Sequence, residues 1–252
     1  MQRNVKSLIG FTMGATDGEI GKVVEFYFDD ETWTIRYLIV KTGSWLTGRK
    51  VLIAPSALKE PDWENKSFPV NLTKEQVKHS PDIDTEMPVS RQHELALYEH
   101  YSWPYSARIG TGFYGAMGML GMVESRIPFE ESIAARNFGD GAGDPHLRST
   151  SEVKGSELHT IDGEIGEIED LIIDDTNWSI HFLVVDTGKW LPGKKVLIAP
   201  KWVKEAKWDS YKFYTDIPTD AIKESPEYDL SEPLPPNFEP DLYRYYGKSI
   251  GK

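Results

Sequence analysis

The chain repeats itself. Asp17-Gly18-Glu19-Ile20-Gly21 returns as Asp162-Gly163-Glu164-Ile165-Gly166, 145 positions later. At that offset Asp29-Asp30 falls on Asp174-Asp175, Trp33 on Trp178 and Thr42-Gly43 on Thr187-Gly188. Val51-Leu52-Ile53-Ala54-Pro55 falls on Val196-Leu197-Ile198-Ala199-Pro200. Between 17 and 55, 22 of 39 aligned positions are identical without a gap. The match continues through Trp63/Trp208, Phe68/Phe213 and Ser80-Pro81/Ser225-Pro226, and fades near Tyr101/Tyr246. Self-similarity at a fixed offset marks one structural unit used more than once. The organisation expected is therefore a first module with a C-terminal arm over 1–101, a Gly-rich linker over 102–150, and a second module with its arm over 151–252.

Within a copy the pattern is that of strands. Val23 to Phe28 and Thr34 to Val40 are rich in β-branched and aromatic residues and flank the polar turn Asp29-Asp30-Glu31-Thr32, which predicts a hairpin. Lys50 to Ala54 is a further strand, ended by Pro55, which cannot donate to a central ladder. Ala57 to Trp63 and Ser67 to Val70 form a second hairpin, and Ser7 to Met13 a leading strand turned at Gly14 and Asp17-Gly18. Asn71 and Asp216 stand where they would cap a short helix that Ser80-Pro81 and Ser225-Pro226 stop. Six short strands in each copy favour a closed antiparallel barrel, because closure removes exposed edges.

The ordered run D-G-E-I-G-x-[VI]-x-[ED]-[FL]-x-[FI]-D-D-x-x-W-[TS]-I-x-[YF]-L-[IV]-V-x-T-G, then G-[RK]-K-V-L-I-A-P, is present twice, over about 7–84 and 152–229. It resembles the PRC-barrel family, which includes the cytoplasmic part of the photosynthetic reaction-centre H subunit and the C-terminal domain of the ribosome maturation factor RimM. The resemblance implies an all-β fold: two tandem small antiparallel barrels with short helices and docking arms. It also implies a docking module, since the H-subunit barrel sits against membrane partners and the RimM domain meets a ribosomal protein. No membrane anchor like the H subunit's, and no separate upstream domain like RimM's, is evident.

Composition narrows the function. Against 28 Lys and Arg stand 40 Asp and Glu, a net charge of −12, which disfavours nucleic acid and anionic membranes. The balance is uneven: residues 149–252 hold 12 basic and 20 acidic side chains, residues 1–101 hold 12 and 15. There is no cysteine, which excludes thiolate metal sites and cysteine nucleophiles. The longest uncharged central stretch, Ile109 to Val123, is 15 residues and five are Gly, too short and too Gly-rich to span a bilayer. Gly112, Gly115, Gly118 and Gly121, interleaved with Met117, Met119 and Met122, mark a linker. The start of the chain has no apolar run behind a basic stretch, and a cytoplasmic location is expected.

No catalytic constellation stands out. The six histidines, His79, His93, His100, His146, His159 and His181, do not recur between copies, and H-E-x-x-H and G-x-S-x-G are absent. The Asp-Gly-Glu-Ile-Gly runs lead into strands, so their glycines serve a turn and not a phosphate loop. The acidic turns lack calcium-loop spacing and are read as Asp capping its own backbone. Trp33/Trp178 and Trp63/Trp208 are expected to close barrel ends. Trp45-Leu46 and Trp190-Leu191 differ: each sits between turn-forming glycines (Gly43 and Gly48, Gly188 and Gly193), where a large apolar side chain meets solvent. Exposed aromatics on a rigid scaffold are the material of interface hot spots. The expected protein is a non-enzymatic, protein-binding adaptor without cofactor or metal, its contact residues Trp45, Leu46, Trp190 and Leu191. A second copy of the chain is among the candidate partners, and a link to reaction-centre assembly or electron transfer follows only from the resemblance. The alternative is a sensor that binds a small molecule or divalent metal at the acidic turns or between the barrels.

Overall fold

A computed structural model describes residues 1–81, 96–97, 99–102, 146–188, 193–229, 234–235 and 237–249. It holds two sheets, each centred on one repeat, with a shared strand order that the second extends by one strand. The first repeat supplies β1 (Gln2–Asn4), α1 (Val5–Leu8), β2 (Thr12–Ala15), β3 (Gly18–Asp29), β4 (Thr34–Thr42), β5 (Lys50–Ile53), β6 (Ser67–Pro69) and α2 (Lys74–Lys78). The second supplies β7 (Leu147–Ser149), α3 (Thr150–Val153), β8 (Glu157–His159), β9 (Glu164–Asp174), β10 (Ile180–Asp186), β11 (Lys195–Ile198), β12 (Val203–Lys207), β13 (Lys212–Thr215), α4 (Thr219–Lys223) and α5 (Phe238–Tyr245).

The sheet paths run β5-β4-β3-β2-β6 and β11-β10-β9-β8-β13-β12. Neither closes: the described strands form mixed open sheets, not the closed antiparallel barrels expected. The pairs β2–β6 and β8–β13 are parallel. They can be, because three antiparallel reversals, β2–β3–β4–β5 and β8–β9–β10–β11, are followed by a fourth before the second member returns. Ser7 to Met13 is not one strand either, since α1 occupies its start.

The repeated glycines explain the sharp entry into each long hairpin. Gly18 and Gly163 turn with φ of +138° and +156°, where other residues would be strained. At Gly21 and Gly166 a Cβ would run into the backbone carbonyls of Lys41 and Asp186 on the neighbouring strand. Buried Ile20, Val23, Phe26, Phe28, Tyr37, Leu38 and Val40 fill the first core, and Ile165, Ile168, Leu171, Ile173, Phe182, Leu183 and Val185 the second.

The long central strand explains a second departure. Strand β2 covers only Gly18–Lys22 of β3, leaving the edge farther along unpaired. That edge is taken by β7 of the other repeat, in the register Tyr27↔Ser149, Phe28↔Arg148 and Asp29↔Leu147. Reciprocally, β1 pairs with β9 in the register Ile172↔Asn4, Ile173↔Arg3 and Asp174↔Gln2. Every pair is displaced by the repeat offset, so the two arms are exchanged about a pseudo-two-fold axis. On the axis Thr34 bridges its own counterpart, Ser179. There the Ile35 N–H donates to Trp178 O at 2.8 Å, and the Ile180 N–H to Trp33 O at 2.6 Å.

Candidate functional site

The junction between the repeats is built from the acidic turns, the arms and the tryptophans. Asp29 and Asp174 do what turn chemistry demands. Asp29 Oδ1 accepts the Thr32 N–H at 2.8 Å, and Asp174 Oδ1 the Thr176 N–H at 2.8 Å. Their neighbours face the other repeat. Asp30 Oδ2 accepts the Arg148 Nε–H at 3.0 Å, and Asp175 Oδ2 the Arg3 Nε–H at 2.7 Å. Each arginine also stacks on a tryptophan of its own repeat: Arg3 lies 3.4 Å from the Trp63 ring centroid, Arg148 4.7 Å from that of Trp208. The guanidinium suits this double duty, since its edge donates while its face stacks.

Trp33 and Trp178 do not close the ends of their own sheets. Trp178 packs against Phe26 and Phe68 of the first repeat at centroid distances of 6.4 and 5.9 Å. Trp33 meets Phe213 of the second repeat at 6.4 Å as well as Phe28 of its own at 5.3 Å. Both have left-handed backbones, with φ of 52° and 61°. That turn geometry aims the rings across the axis.

The arms add buried polar contacts. Asp170 is fully buried and accepts the Lys6 N–H of the exchanged α1 at 3.1 Å, with Lys154 Nζ 3.6 Å away. Burial pushes its carboxyl above the usual carboxylate value. Its counterpart Glu25 accepts the Ser149 hydroxyl of the other arm. The C-terminal arm of the second repeat also docks on its sheet: Leu242 and Tyr243 of α5 are buried, and Tyr243 packs on Trp202 at 4.9 Å. Glu239 of α5 contacts His181 Nδ1 at 3.3 Å and accepts from Gln2 at 3.1 Å. His181 holds the Glu239 carboxyl below its ordinary value.

Among the described residues two clefts open at the junction, one on each side of the axis. The larger, of about 510 Å³, lies between Asp30, Glu31, Trp33, His146 and Arg148 on one wall and Pro200, Val203–Ala206 and Trp208 on the other. The smaller, of about 340 Å³, joins Pro55, Leu58, Lys59 and Pro61 to Asp175, Thr176 and Trp178. Among the described residues no group of three or more His, Asp or Glu is arranged to hold a metal ion.

The predicted contact loop of the first repeat is a 3-10 turn, Ser44–Leu46. Trp45 and Leu46 are both half-buried there. The Trp45 Nε1–H donates to Ile20 O at 2.8 Å, and Lys74 Nζ covers the ring at 4.7 Å. Trp190 and Leu191 lie outside the described residues. The linker glycines and methionines do too. The structure does not bring the first loop to the junction. Sequence reasoning missed Arg3, Arg148 and the exchanged arms at the start of each repeat; the one signal was that Arg3-Asn4-Val5 and Arg148-Ser149-Thr150 sit at the repeat offset ahead of the strong motif.

These features define a two-repeat β-sheet protein whose halves complete each other. The model of the PRC-barrel domain matches residues 3–77 and again 145–222, and both matches take in an exchanged arm. The chain belongs to the PRC-barrel domain family, with two copies in tandem. A comparison with curated proteins returned no match. Among the described residues no helix is long and apolar enough to cross a membrane.

Proposed function

We propose that the protein is a non-enzymatic adaptor: two PRC-barrel domains locked into one body that engages a protein partner. PRC-barrel domains are in general protein-interaction modules. The observation that carries the reading here is Trp45. Its indole is anchored by the Ile20 carbonyl and by Lys74, yet the ring remains partly open on a short, rigid turn. A pre-oriented aromatic loses little entropy on binding, which is what a hot spot requires. Reaction-centre assembly enters as one candidate setting, supported by the sequence likeness to the H-subunit barrel alone. The test is affinity capture from native lysate with the full chain and with Trp45→Ala. A partner held by the first and lost by the second, with both unfolding at the same temperature, supports the adaptor. Equal capture by both removes Trp45 from the interface.

A second reading, a small-molecule sensor, is favoured only by the 510 Å³ cleft. The acidic turns add little to it, because Asp29 and Asp174 cap their own turns and Asp30 and Asp175 face arginines. A thermal-shift screen separates the two, since a ligand that binds only the folded state raises its stability.

A further inference from the structure

The two clefts are symmetry mates but not equals. In the larger one four consecutive residues of β12, Val203 to Ala206, line the wall. Side chains of a strand alternate between its faces, so four in a row means that the cleft runs along the strand's edge. Among the described residues strand β12 is the last in its sheet, paired with β13 alone. Its register fixes which groups face outward. In the first repeat Asp62 and Ser67 exchange both backbone hydrogen bonds at 2.9 Å. The corresponding pair is Lys207↔Lys212, and the next, Ala206↔Phe213, is a non-hydrogen-bonded pair. The Ala206 N–H and C=O therefore point away from β13, into the cleft.

The first repeat carries Pro61 where the second has Ala206. Proline has no N–H to offer an added strand, and it is a common way to blunt an edge. There the segment is reduced to isolated bridges, Leu58↔Val70 and Asp62↔Ser67, and the cleft is smaller. One repeat has a blocked edge, the other an open one.

Charge indicates what the open edge accepts. Asp30 is matched by Arg148 at 3.0 Å and His146 at 2.9 Å, and Lys204 turns to Asp216 at 3.3 Å. Lys204 is itself 62% exposed but drawn to Asp216, whereas Glu31 and Glu205, 66% and 57% exposed, have no ion contact closer than 3.7 Å, so the unmatched charge at the cleft is acidic. We infer that the edge of β12 is a docking site for a basic partner segment in extended conformation, which adds as a further strand and sets its Lys or Arg side chains against Glu31 and Glu205. Main-chain bonds supply affinity in such complexes, and the flanking side chains supply specificity. This deepens the adaptor reading and rests on it.

The test uses the full chain and three labelled peptides of about eight residues: alternating valine and lysine, the same with alternate N-methyl groups, and alternating valine and glutamate. Fluorescence anisotropy reads binding to the natural chain and to Ala206→Pro. The variant reproduces what the first repeat already tolerates at Pro61, and it leaves every charge in place. Saturable binding of the lysine peptide is expected, weakened about tenfold by Ala206→Pro, the loss of one main-chain bond and a steric block. The methylated and glutamate peptides should bind at least as poorly as that. Equal binding by Ala206→Pro, or by either control peptide, overturns the inference. So does a concentration-dependent dimer that Ala206→Pro abolishes, because the edge then belongs to a second copy. Loss of lysate capture in Trp45→Ala beside unchanged peptide binding in Ala206→Pro sinks the edge site alone. Edge binding without any captured partner sinks the adaptor alone.

Discussion

Arg3 and Arg148 each tie two repeats together with one side chain, and Asp17 and Asp162 do the same within a repeat. Asp17 Oδ1 accepts the Lys74 N–H at the start of α2 at 2.8 Å, and Asp162 Oδ1 the Thr219 N–H at the start of α4 at 2.9 Å. The repeated Asp is thus a helix cap supplied from 57 residues away. At Asp162 the Thr219 and Thr160 hydroxyls add to this, and the carboxyl falls from 3.8 to about 2. A folded-state value below the unfolded one means stability that is present above pH 3.8 and lost as pH falls toward 2. Urea titrations at a series of pH values should show Asp162→Asn less stable than the natural chain at pH 5, with the gap closing between pH 4 and pH 2 (about those values). A gap that stays constant with pH would remove the ionised cap from the account.

At the scale of elements, the hairpins were legible and the partners of the short strands were not. The pairs β3–β4 and β9–β10 follow from alternating apolar runs around Asp-Asp turns, and the glycines that open them read correctly as turn residues. Strand β1 is Gln2-Arg3-Asn4, three residues with no apolar alternation, and nothing local states that its neighbour is β9. The closed barrel failed for a related reason. Closure is one way to protect an edge; the chain instead protects β3 and β9 by lending each a strand from the other repeat, and protects Leu58–Asp62 with Pro61. Trp178 packs in the core of the other repeat and Trp33 straddles the two, which the sequence does not state, since it places a ring at a turn and only φ aims it. Removing residues 1–8 should bare the far edge of β9 and nothing in the first sheet. Hydrogen exchange should then speed up at least tenfold at the Ile173 and Asp175 amides, which face β1, while Phe28 and Asp30, covered by the other arm, keep their protection. Equal loss at both places would mean that the arms are not independent covers.

For the whole molecule, the exchange predicts that the two domains unfold as one cooperative body. Trp178 belongs to the second repeat and is buried among Phe26 and Phe68 of the first. Trp178→Ala should cost about 3–5 kcal/mol, the range for emptying a large aromatic site, and calorimetry should show one transition before and after the change. Two separated transitions in the natural chain would show that the halves unfold alone. The crossed arms also set a timetable for synthesis. The partner of Gln2–Asn4, Ile172–Asp174, is made some 170 residues later, tens of seconds at slow elongation rates. The β3 edge waits likewise for Leu147–Ser149. The first repeat cannot finish folding until the second has supplied Leu147–Ser149 and Trp178, so while nascent it holds an uncovered strand edge and an unfilled place for that ring. Such contacts between distant parts of the chain slow folding, and this protein is one whose yield should depend on holding that half-made sheet apart from its neighbours on the polysome.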